Sequence, residues 1–125
     1  MKKWVLSLVI GFTVLIVSGP LFAHHGEANY ETDKVTTVKG TVTSFRFINP
    51  HVQVFMDVKN EAGEIEKWSA EARSPTMLVR VGGWDKDTIK LGDVITMSGF
   101  RAKNGTNILR LKKIVLANGE ERPDL

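Results

Sequence analysis

From Lys34 onward the apolar residues of this chain recur mainly at every second position, a period that admits strands and excludes most helices. Val38, Gly40 and Val42 lie on one face of the first such run, with Lys39, Thr41 and Thr43 opposite. After Ser44 the phase slips, and Phe45 and Phe47 take over the apolar positions. A bulge is the natural device for such a slip, and it bends a long strand into a curved sheet. Asn49-Pro50 ends this run, because proline has no N–H to give to a ladder. The second strand alternates cleanly through Val52, Val54, Met56 and Val58. Asn60-Glu61-Ala62-Gly63 then supplies a hairpin turn, and a third strand at 64–72 turns Trp68, Ala70 and Ala72 inward.

One helical signal interrupts the pattern. Ser74 is a good N-cap, Pro75 suits the first helical position, and Gly82-Gly83 is a stop. Met77, Leu78 and Val81 form a short apolar stripe, expected to plug one end of the sheet. A polar connector from Trp84 to Gly92 leads into a fourth strand at 94–101, and Lys103 to Thr106 turns the chain into a fifth at 107–116. Three strands, a short helix and two more strands is the order of the OB-fold. The expected fold class is therefore all-β, a small OB-fold-like five-stranded Greek-key barrel with one short helix between strands 3 and 4. Its expected limits are residues 35–118, after a flexible segment at 24–34 and before a polar tail at 119–125 that adds no structure.

The amino terminus has a different character. Lys2 and Lys3 precede an almost unbroken apolar run from Trp4 to Ser18, shorter than the roughly 20 residues a membrane helix needs. Gly19-Pro20 breaks any helix, and Leu21-Phe22-Ala23 offers a small residue at a cut site. Residues 1–23 read as a secretory signal peptide, which makes the protein periplasmic or secreted and leaves no membrane span after cleavage. Without the leader, 15 of the 17 basic residues face 14 acidic ones, a net charge near +1. That balance argues against phosphate-backbone binding, so no nucleic acid is expected among the partners. The chain has no cysteine, which excludes disulfides, thiolate metal sites and a cysteine nucleophile.

Cleavage after Ala23 makes His24 the new terminus, so its α-amine and its ring can chelate one metal ion. The three histidines are His24, His25 and His51, the last in Asn49-Pro50-His51. Imidazole suits Cu, Zn and Ni, and an amine-plus-imidazole chelate completed by a further imidazole favours Cu(II). As plain structure, the terminal pair would be solvated and His51 held by backbone bonds at a strand start. Glu71 with Arg73 is the one polar cluster near the helix start, and an ion pair or cap accounts for it. No nucleophile elbow, metalloprotease helix or phosphate loop is present, so none of these motifs supports catalysis.

His24-His25-Gly26, Gly40-Thr41-Val42, Asn49-Pro50-His51, Ser74-Pro75, Gly83-Trp84 and Leu91-Gly92-Asp93-Val94 together resemble a family of small exported bacterial proteins. Those proteins have no characterised function, and they pair a His-His-Gly or His-His-Ser mature start with an Asn-Pro-His before the second strand. The resemblance implies a periplasmic OB-like domain and no settled activity. The expected function is a binding module that captures Cu(II), or a similar divalent ion, through His24, His25 and His51. The alternatives are an OB-like interaction module for a protein or small ligand, with the histidines incidental, and an oxidative copper enzyme using the same ligands.

Overall fold

The computed structural model describes residues 25–124, so the leader and His24 lie outside the described residues. A short α1 (His25–Ala28) precedes β1 (Tyr30–Arg46), a strand of 17 residues. The chain continues through β2 (Gln53–Lys59), β3 (Ile65–Glu71), α2 (Pro75–Gly82), β4 (Val94–Ala102), β5 (Ile108–Val115) and β6 (Glu121–Pro123). The sheet order is β3-β2-β1-β4-β5-β6, and a parallel pairing of β3 with β5 closes the first five strands into a barrel. That is the expected all-β, OB-like architecture, with the helix between the third and fourth strands.

β1 is long because it serves two partners. Its first part pairs with β4, from Tyr30↔Ala102 to Thr41↔Val94, and its end pairs with β2, from Thr41↔Asp57 to Arg46↔Gln53. The register shifts between Val42 and Ser44, leaving Thr43 as the extra residue, so the bulge sits just before the serine where the pattern slips. The core is made as the alternation requires: Val42, Val52, Val54, Met56, Val58, Trp68, Ala70 and Ala72 are all buried. Phe45 and Phe47 pack against this cluster from its margin, ring to ring at 5.9 Å.

α2 begins and ends on its signals. The Ser74 hydroxyl accepts from the Met77 N–H at 3.4 Å, Pro75 takes the first turn, and Gly83 caps the end with φ 61°. The stripe is narrower than expected. Leu78 is fully buried, whereas Val81 is exposed, and the connector that follows buries Trp84 and Ile89 instead.

Both margins of the barrel also differ from expectation. β1 starts at Tyr30, inside the segment expected to be flexible. The tail is structured too: β6 pairs with Lys113, Ile114 and Val115, and Asp124 is buried. Three residues, one of them proline, carry no alternation that a sequence reading can detect. Backbone pairing alone makes them a strand. No helix among the described residues is long and apolar enough to cross a membrane.

Candidate functional site

The hairpin of β2 and β3 positions His51. Its ladder runs from Lys59↔Ile65 back to Gln53↔Glu71 and continues beyond it, with the Ala72 N–H donating to the Val52 carbonyl at 2.8 Å and the Val52 N–H to the Arg73 carbonyl at 3.0 Å. Val52 and Ala72 point inward, so His51 and Glu71 share the outer face at the open end of the hairpin. There the Glu71 carboxylate bonds Nδ1 of His51. Glu71 was expected to pair with Arg73 or cap the helix. Arg73 instead turns to Asp124, its backbone N–H donating at 3.2 Å with the guanidinium Nε at 3.8 Å. The hairpin register holds the signal that the sequence reading passed over: counted back from the turn, it sets position 51 beside 71 and 73.

His51 and Glu71 form one wall of an open groove whose other sides come from Gly26, Asn29 and Tyr30, from the β4–β5 turn at Lys103, Asn104 and Thr106, and from Arg110. α1 thus runs past the same groove, and Gly26 directly follows the His24-His25 pair. His24 lies outside the described residues, and of His25 only the backbone is described. Among the described residues no three His, Asp or Glu side chains converge on a point that would hold a metal. Burial pushes the Tyr30 phenol above its ordinary pKa and the Glu71 charge adds to the shift, while Arg110 opposes it, so the phenol stays a hydrogen-bond donor.

A second, smaller cavity of about 110 Å³ lies behind Tyr30 and Arg110, lined also by Thr32, Arg73, Phe100, Lys112 and Asp124. Burial drives the Asp124 carboxyl above the usual carboxylate range, against the lowering pull of the Arg73 N–H and the charges of Arg110, Arg73 and Lys112.

The aromatic residues divide between core and surface. Trp68 and Trp84 are buried, with the Arg101 guanidinium 5.1 Å from the Trp68 ring. Phe55 stays half-buried on the outer face of β2, and the Arg46 guanidinium lies 5.1 Å from its ring centroid.

Comparison with solved structures finds the mitochondrial single-stranded DNA binding protein Rim1 of S. cerevisiae, at a TM-score of 0.51 and 10% identity. The match covers 66% of this chain and 92% of that one. This shared fold corrects the expectation that nucleic acid is excluded. Near-neutral net charge is a global quantity, and a barrel of this shape carries a single-stranded DNA ligand in that protein, so charge balance does not rule such a partner out. No curated protein matches the chain. A model of a family of unknown function, DUF6152, matches residues 13–109.

Proposed function

The chain belongs to DUF6152, a family that supplies no activity to inherit, and from its own residues we propose an exported binding module that captures Cu(II), or a similar divalent ion, through His24, His25 and His51. One observation carries the reading: Nδ1 of His51 is bound by the Glu71 carboxylate. A carboxylate on one ring nitrogen fixes the tautomer and orientation of the imidazole and raises the basicity of the other nitrogen, as is usual behind histidine ligands of metals. Nε2 is then the ligand atom. Passage of α1 along the same groove brings the chain to within one residue of the His24-His25 pair, which supplies the remaining nitrogens. The expected test result is graded. His51→Ala removes a ligand, whereas Glu71→Gln keeps a hydrogen-bond acceptor and loses the charge, so its Cu(II) affinity should fall by about ten- to a hundredfold. Calorimetric titration of the cleaved protein measures both, and equal affinity in parent and His51→Ala would remove His51 from the site.

A second reading rests on Phe55. In OB-folds the face of strands 2 and 3 is a ligand platform, and an aromatic ring with an arginine over it suits base stacking. On this reading the barrel is an interaction module that takes single-stranded nucleic acid across β2 and β3. Fluorescence anisotropy of a labelled oligothymidine should then show salt-sensitive binding that Phe55→Ala weakens about tenfold or more. Binding unaffected by that substitution would dismiss the platform.

A further inference from the structure

The cavity behind Tyr30 is charged in an unbalanced way. Arg73, Arg110 and Lys112 line it, and the carboxylate among its lining residues is Asp124. That carboxylate pairs with only one of them, Arg73, whose backbone N–H donates to it at 3.2 Å and whose guanidinium Nε lies 3.8 Å away, so the positive charge stays in excess. Lys112 rests its ammonium 5.5 Å from the Phe100 ring centroid. Arg110 makes no ion pair within 4 Å among the described residues. The Tyr30 phenol and the Thr32 hydroxyl add two neutral donors to the lining.

Volume and donor set agree on what fits. About 110 Å³ holds roughly three waters at ~30 Å³ each, or one small oxyanion. A guanidinium offers a planar fork that matches a carboxylate or phosphate with two parallel hydrogen bonds, and an ammonium completes the charge. We infer that the cavity between β1, β4, β5 and the C-terminal strand is a binding site for a small oxyanion, a carboxylate or a phosphate, held by Arg110 and Lys112 with Arg73 and Tyr30 alongside. Asp124 keeps the Arg73 backbone in place and sets the limit on how much negative charge the cavity accepts. Tyr30 and Arg110 also wall the groove of His51, so the anion sits next to that groove without using any of its histidines.

The test uses protein cleared of metal on a chelating resin, so its outcome is independent of copper. Inorganic phosphate and, separately, acetate are titrated at constant ionic strength while amide ¹H–¹⁵N shifts are followed. The expected result is saturable change centred on Thr32, Arg73, Arg110 and Lys112, with the tighter of the two anions naming the class. Arg110→Gln and Lys112→Gln should each weaken that binding about tenfold, the scale of a lost charge-assisted bond. Lys112 is exposed, so its substitution leaves the fold intact whatever happens at Arg110. Asp124→Asn should tighten binding, because it removes the one negative charge from the lining, and a merely structural residue would not produce a gain. Shifts linear in anion concentration, shifts spread equally over Lys67 and Lys86, or unchanged affinity in both Gln variants would overturn the assignment.

Discussion

Protein that carries a tag of several residues before His24 should bind Cu(II) roughly a hundredfold more weakly than protein that begins at His24, a difference of about 2.7 kcal/mol. The extension turns the terminal amine into a peptide nitrogen and moves the new amine out of reach of the His24 ring. The six-membered chelate ring that lets one residue give two nitrogens is lost, while β1 to β6 stay as they are. Acid should have a parallel effect on the cleaved protein, since protons compete for the imidazoles and for an amine whose ordinary pKa is about 8. Electron paramagnetic resonance of the two copper-loaded forms reports the change in nitrogen ligation directly. Equal binding by extended and cleaved protein, or none by either, would leave the interaction-module reading in place of the metal one.

Gly99→Ala should cost about 3 kcal/mol, the upper end of overpacking penalties, and lower Tm by about 15 °C. Gly99 sits at the register shift between β4 and β5, where the two backbones come unusually close. A Cβ built there would lie 2.2 Å from the Arg110 carbonyl oxygen and 3.1 Å from the Leu111 Cα. Those atoms are backbone of the paired strand, so relief requires the strands to part rather than a side chain to rotate. Leu109 and Leu111, both buried, would move with them. Thermal unfolding followed by circular dichroism measures the effect, and a loss below about 1 kcal/mol would mean that β4 and β5 do not approach so closely.

The fold was legible where side-chain burial dictates the backbone. Val52, Val54, Met56 and Val58 alternate because β2 has one face on the core, and α2 keeps to Pro75–Gly82 because Ser74 and Gly83 close its ends. Legibility fails where backbone pairing or distant partners decide. Glu121, Arg122 and Pro123 have no apolar rhythm, yet the unpaired half of β5 makes them a strand. Val81 fits the helical stripe yet stays exposed, while Trp84 and Ile89 of the polar connector are buried. In the candidate site, His51 was found by its residue type and its place before a strand. Its bond to Glu71 was not, because the partners are 20 residues apart and meet only once the hairpin register is known. The cationic cavity was the least visible: nothing in the spacing of Arg110 and Lys112 shows that Arg73 and Asp124, far off in sequence, line the same cavity.

The C-terminal strand also governs how the molecule meets its own copies. β3 borders β5 only at Ile108, Leu109 and Arg110, so the remainder of β5 would otherwise offer a row of bare amides and carbonyls to any passing strand. Such a row is a template for filament growth. β6 covers it with Glu121, Arg122 and Pro123, and the new margin it creates is three residues long, charged, and interrupted by a residue with no N–H to donate. The Asp124 N–H, bonded to the Lys112 carbonyl at 2.9 Å, anchors this cover. Resistance to stacking thus rests on a segment that adds no side chain to the apolar core.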